Sequence, residues 1–174
     1  MTNDIHAPNA ELSSADLGNA GPPDAPTLDF LATISVQVGE PIELGMTEDG
    51  PRRIIPITGG TVTGPSLRGR VLPAGADYQL LKSPRVTELV AKYAIETDEG
   101  DHVYIDNFGL RTGDSEDIAR LVRGEEVDPQ RIYFRCNPRM QASGSRWSWL
   151  SQRILIAAGR RFPDEVRLDV YVVT

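Results

Sequence analysis

A carboxylate beside a phenol, Asp77-Tyr78, closes the most constrained stretch of this chain, GGTVTGPSLRGRVLPAGADY from Gly59 to Tyr78. Further side chains able to move protons or hold anions follow it: Lys92, Glu96, Tyr104, Asp106, Arg111 and Arg135, with Trp149 as an apolar wall. A carboxylate held among aromatic rings has its charged form disfavoured and its pKa raised, which suits proton transfer near neutral pH. A neighbouring cation can steady a developing enolate or carboxylate, and a tyrosine hydroxyl can donate a hydrogen bond to it. This pattern points to cofactor-free acid/base chemistry on a small, partly apolar organic molecule, as an isomerase, cyclase or lyase would perform it. Asp77 is the expected acid/base and Arg111 the expected oxyanion partner. Tyr78, Lys92, Glu96, Tyr104, Asp106, Arg135 and Trp149 are the expected ligand-binding residues. Taken singly, each fits a salt bridge in the wall or a solvent-facing position, and only the set suggests a pocket.

Two other classes compete. A non-catalytic carrier or sensor needs shape and apolar wall but no ionisable group within reach of its ligand. A structural or homo-oligomeric module would use a second apolar strand face, hinted at by Tyr171 and Val173 on the otherwise charged face of the last strand. Composition removes further classes. Two histidines and one cysteine, Cys136, supply neither a zinc or thiolate site nor an intramolecular disulfide. There is no GxxxxGK[ST], and the glycines after Gly59 do not form GxGxxG between strand and helix, which argues against nucleotide binding. A Ser-His-Asp hydrolase would depend on His102 alone, and a lone strand histidine more often serves structure.

Charge is unevenly placed. Of the net −7, the first fifty residues hold nine acids and no Lys or Arg, leaving sixteen acids against eighteen bases in the rest. A nearly neutral body offers no phosphate-tracking stripe, so nucleic acid is not an expected partner. No charged-then-apolar leader and no apolar run long enough to span a bilayer is present, so no membrane association is expected and a cytoplasmic location is the default.

The elements that must position these residues are strands. Residues 1–26, rich in Ala, Asn, Asp, Ser, Gly and Pro, read as a disordered acidic leader, and 27–174 as a single domain. Leu28 to Val38 alternates apolar and polar residues, the mark of a half-buried strand. Gly39 to Arg53 reads as loop, and Ile54 to Ile57 restarts a strand. Thr61 to Thr63 and Leu67 to Leu72 follow, broken by Gly64-Pro65 and by Pro73-Ala74-Gly75 as turns. Val86 to Thr97 and His102 to Asn107 flank Asp98-Glu99-Gly100-Asp101 as a hairpin whose polar residues face one another. One helix begins at Asp114 or Ser115 and stops at Gly124. Arg131 to Cys136 is strand-like and ends at Asn137-Pro138. Gly144 to Trp149 is ambiguous, with Trp147 and Trp149 on one face if extended. Arg153 to Ala158 and Val166 to Val173 form a terminal pair. Roughly nine or ten short strands at this spacing indicate an all-β barrel or sandwich, and Gly69 within a strand marks a bend of a barrel wall or a close approach.

GGTVTGPSLRGRVLPAGADY, VAKYAIETDEGDHVYIDNFGLRTG, YFRCNPRM and WSWL, in this order and spacing, give the chain from about Leu28 to Thr174 a specific similarity: it resembles the domain-of-unknown-function 3237 family, also called uncharacterised protein family 0311. The resemblance implies a closed antiparallel β-barrel of calycin-like appearance, with about 8–10 strands and one short helix. It departs from the family pattern at Tyr78, where Trp is common, at Lys92, where Arg is usual, and at Ser151, where Asn often stands. Lysine lacks the planar fork with which arginine grips carboxylates, which implies a different ligand or ligand orientation. The suggestion of secondary metabolism or aromatic catabolism rests on analogy between barrel folds.

Overall fold

The structure, a computed structural model, describes residues 25–174. The expected leader therefore lies, up to residue 24, outside the described residues. Nine strands carry the fold: β1 (Leu28–Val38), β2 (Ile42–Thr47), β3 (Gly50–Thr63), β4 (Gly69–Ser83), β5 (Val86–Thr97), β6 (His102–Thr112), β7 (Tyr133–Ala142), β8 (Leu155–Arg161) and β9 (Glu165–Val173). All neighbours are antiparallel, in the order β1-β9-β8-β7-β6-β5-β4-β3, and β1 pairs back onto β3. Eight strands thus close a barrel, while β2 extends the early half of β3 as a hairpin. A barrel of this size has an interior just wide enough to be filled by side chains or to hold one small ligand.

Closure follows from period-two alternation, because every barrel strand sends its apolar parity inward. On β5 and β6 the buried residues include Leu89, Tyr93, Ile95, Val103 and Ile105, while their sequence neighbours face outward. One end of the barrel is solid. Leu67, Met140, Trp147 and Leu150 are each no more than 3% exposed there and belong to one core with Val62, Val71 and Leu155. Close strand crossings at this end require glycine. A Cβ on Gly60 would stand 2.0 Å from the Ser35 carbonyl oxygen, and one on Gly69 2.1 Å from that of Glu96, both at positive φ.

Several strands outrun their expected limits. The region read as loop before Arg53 contains β2, whose exposed Ile42, Leu44 and Met46 lack the half-buried alternation by which a strand is recognised. Pro73-Ala74-Gly75 does not turn the chain: β4 runs through it, and the β4–β5 register shifts between Val71 and Gly75, so the signal belongs to a bulge. Likewise β7 continues past Asn137-Pro138 to Ala142. The segment with both tryptophans is a 3-10 helix, Ser145–Gln152, packed on β7, which buries Trp147 and leaves Trp149 partly buried. The α-helix α1 (Ser115–Val122) starts where expected, with Asp114 accepting from the Glu116 backbone N–H.

Candidate active site

The end opposite the solid core is open. It is rimmed by the segment after β1, the end of α1 and the β8–β9 turn, and it holds an open vestibule of about 1010 Å³. The vestibule narrows into a chamber of about 40 Å³ inside the barrel, and Val38, Ile55, Gln79 and Arg161 line both. The chamber wall is mostly apolar, with Val36, Ile57, Leu89, Tyr93, Phe134 and Leu168, and its polar members are Asp77, Gln79, Asn107 and Arg161. Phe134 on β7 lies over the adjacent strand β8, where glycine makes room for it: a Cβ on Gly159 would lie 2.6 Å from its ring.

Strand register sets the polar groups at the junction. Asp77 on β4 faces Ala91 of β5, which faces Asn107 of β6; two residues further along, Gln79, Leu89 and Gly109 form the next inward row, and Thr87 beside Arg111 the one after. Asp77 Oδ2 accepts a 2.7 Å hydrogen bond from Gln79 Nε2. Its Oδ1 is buried without a hydrogen-bond partner among the described residues. Burial pushes this carboxyl above its ordinary value, outweighing the Gln79 hydrogen bond and the attraction of Arg111 and Arg161.

Three arginines converge on the junction from β3, β6 and β8. Arg53, 5% exposed, is anchored: Nη2 pairs with Glu43 Oε1 at 2.6 Å and Nη1 donates to the Val122 carbonyl at 2.9 Å, tying the end of α1 to the barrel. Arg111 is 2% exposed and its Nε has no partner. Burial lowers its pKa to about 10, with Asp77 opposing the change and Arg161 and Arg53 adding to it. Arg161 spends Nη1 on the carbonyls of Phe162 and Glu165, and burial, then repulsion from Arg53, lowers its pKa. Below them Cys136 is pushed up to about 11 by burial and Tyr93 is raised by the same cause; the Tyr93 hydroxyl has no partner. A carboxyl inclined to keep its proton, next to cations at the edge of an apolar chamber, can exchange a proton with a bound molecule and stabilise the charge that results.

Of the residues expected from sequence, the structure brings Asp77 and Arg111 together inside the barrel. It does not bring the others there. Tyr78, Lys92, Glu96, Tyr104, Asp106 and Arg135 have the opposite strand parity and lie on the outer wall. Lys92 and Arg139 approach Asp106 at 3.5 and 3.4 Å, Glu96 pairs with Arg70 at 2.8 Å, and Arg135 stacks over Tyr133. The expected facing of polar residues across the β5–β6 hairpin is present, with Lys92 opposite Asp106 and Glu96 opposite His102, but on the solvent side. Desolvating so many charges inside a barrel would cost far more than exposing them. Trp149 packs against the solid end, away from the chamber. Sequence reasoning missed Arg53, Gln79, Asn107 and Arg161. The available signal was parity with Asp77: Gln79 is two residues on, and Asn107 and Arg111 share the inward side of β6.

The class of protein is defined by this architecture: a closed eight-stranded antiparallel barrel, open at one end onto a polar junction and an apolar chamber. The model of the family described as "Protein of unknown function (DUF3237)" matches residues 26–173, and the chain belongs to that family. A UPF0311 protein of Rhodopseudomonas palustris is 43% identical over 150 residues, 85% of this chain and 98% of that protein. The crystal structure of the conserved protein of unknown function from that organism superposes with a TM-score of 0.82 at 43% identity, covering 86% of this chain and 99% of the other. More distant likenesses are the PR-toxin biosynthesis cluster protein 7 of Penicillium roqueforti, 24% identical over 84% of this chain and 89% of that protein, and the crystal structure of an enzyme from Penicillium herquei. The latter superposes with a TM-score of 0.65 at 15% identity over 89% of this chain and 99% of its own, a likeness of fold.

Proposed function

We propose that this barrel is a cofactor-independent acid/base enzyme for a small, partly apolar organic molecule, an isomerase, cyclase or lyase, with Asp77 carrying the proton and Arg111 facing the oxygen that gathers charge. One observation carries the reading: the Asp77 carboxyl has one buried oxygen without a partner and sits where an apolar chamber meets buried cations. In the proposed step the ionised Asp77 takes a proton from a carbon next to a carbonyl. The C–H electron pair moves into an enolate whose oxygen is stabilised by Arg111, and the proton is returned at another position of the same molecule. No electrons leave the substrate. The raised pKa makes Asp77 a stronger base than an exposed carboxylate and, once protonated, a ready donor. The name of the Penicillium roqueforti relative, which refers to toxin biosynthesis, and the fold shared with a fungal enzyme support a role in making or modifying small organic compounds.

Native mass spectrometry of the protein as purified, followed by identification of any molecule released on denaturation, supplies the chemical class for turnover assays. Asp77→Asn should lower turnover by roughly 10²- to 10⁴-fold. Unchanged turnover in that variant would sink the assignment. The apolar chamber wall also favours a carrier, which would retain a tightly bound molecule yet release it unchanged in every assay.

A further inference from the structure

The junction is over-supplied with positive charge. Arg53 has its counter-ion in Glu43. Among the described residues no carboxylate oxygen, those of the chamber-wall acid Asp77 included, lies within 4.0 Å of Arg111 or Arg161. The remaining acids of the vestibule, Glu40 and Asp164, are exposed on its rim, from where Asp164 attracts Arg161 without forming an ion pair with it. Arginine cannot shed its charge at physiological pH even when burial depresses its pKa, so Arg111 is a buried cation and Arg161 a half-buried one. Holding a charge without an ion-pair partner away from water is costly, and an anion arriving with a ligand offsets that cost.

Position separates the two arginines. Arg111 lines the vestibule, whereas Arg161 lines vestibule and chamber alike, at the threshold between them. Its Nη1 donates to the Phe162 and Glu165 carbonyls, and among the described residues Nη2 and Nε make no hydrogen bond. A guanidinium with a free edge suits a planar carboxylate, which accepts two parallel hydrogen bonds. Apolar side chains beyond it, including Val38, Ile55 and Val166, suit a hydrocarbon body.

We propose that the molecule this site takes is an organic carboxylate, its carboxylate seated on the free edge of Arg161 and its apolar body resting on Val38 and Ile55 at the chamber mouth, facing Asp77. Arg161 is then the specificity-determining residue. The proposal rests on the acid/base reading for the role of Asp77 but not for the binding itself. A permanent charge on Arg161 orients the ligand and leaves Arg111 free for the oxygen that changes charge during reaction.

Isothermal titration of the full chain with benzoate and with benzamide, its neutral counterpart of nearly equal shape, tests this directly. Benzoate should bind about tenfold or more tightly than benzamide, a charge-assisted pair against a neutral one. Arg161→Gln, with folding verified by circular dichroism, should erase the preference, and Arg161→Lys should restore part of it. Benzoate binding no more tightly than benzamide in the unmodified protein, including no binding of either, overturns the proposal whatever the variants do. So does a preference that survives in folded Arg161→Gln. Asp77→Asn should keep the benzoate preference, because the anchor is intact. A variant that keeps the preference and full turnover therefore counts against the acid/base reading alone, and a wild type that turns over substrate without any preference for benzoate counts against the carboxylate anchor alone.

Discussion

Replacing Asp77 by asparagine changes almost no volume, yet it removes a charge from a place where the fold tolerates charge poorly. Among the described residues Asp77 Oδ1 meets no hydrogen-bond donor within bonding distance, and Oδ2 accepts from Gln79. In the unfolded chain this carboxyl loses its proton near its ordinary value of 3.8, whereas burial makes the folded protein hold the proton to higher pH. Between those two values the native state binds more protons than the unfolded state, so the stability of the wild type falls as pH rises through that interval; above it the loss is complete. Asparagine cannot ionise and escapes the loss. An unsatisfied buried polar group costs about 1–3 kcal/mol, more if charged. At roughly 2–4 °C per kcal/mol for a domain of this size, Asp77→Asn should melt about 2–12 °C above the wild type at pH 8. At pH 3.5, where the wild-type carboxyl is also neutral, the difference should nearly vanish. Melting curves of both proteins by circular dichroism across this range cancel every other titration, because all other groups are shared. A difference in Tm that stays constant with pH, or a wild type more stable than the variant at pH 8, would refute the account of a strained, buried carboxylate.

Gly159→Ala should destabilise the barrel by about 1–3 kcal/mol, since its Cβ would enter the Phe134 ring, and chemical denaturation should show a lower midpoint with an unchanged slope. Tyr93→Phe removes a buried hydroxyl that has no partner and should leave stability unchanged or raise it by up to about 1 kcal/mol; a loss greater than that would mean the hydroxyl is satisfied in solution. Lys92→Ala and Tyr104→Ala, on the outer wall, should shift stability by no more than about 1 kcal/mol and leave benzoate affinity unaltered in the same titration. Asp114→Ala should cost about 1 kcal/mol by uncapping α1, read from urea denaturation.

Much of the wall was legible residue by residue. The alternation from Leu28 to Val38, the Asp98-Glu99-Gly100-Asp101 hairpin and the Asp114 cap are local features, and local chemistry specifies them: side-chain parity, turn residues and a hydroxyl or carboxylate able to meet free backbone N–H groups. Proline and glycine were legible as departures from a regular strand. Whether such a departure is a turn or a bulge depends on the partner strand, and at Pro73 to Gly75 and at Asn137-Pro138 the ladder with neighbouring strands carried the chain onward.

The site divides along the same line. Alternation makes Asp77 and Tyr78 face opposite ways in a strand, and likewise Asp106 and Arg111, so the expectation that all four share one pocket could not hold within regular strands. Alternation did not say which parity was inside. Closure of β1 on β3 decided that, since only a complete ring has an interior, and the interior took the parity with fewer charges to desolvate. Arg161 shows the limit most clearly. In the chain it is one of two consecutive arginines near Phe162-Pro163-Asp164, and alternation says only that it and Arg160, which pairs with Asp169, face opposite ways, not which of them is inside. Only the tertiary fold sets β8 near β3, β4 and β6 across the barrel, so that Arg161 meets Arg53, Asp77 and Arg111 at one threshold; residues so far apart in the chain are joined through space by the closed sheet and by no periodicity of their own.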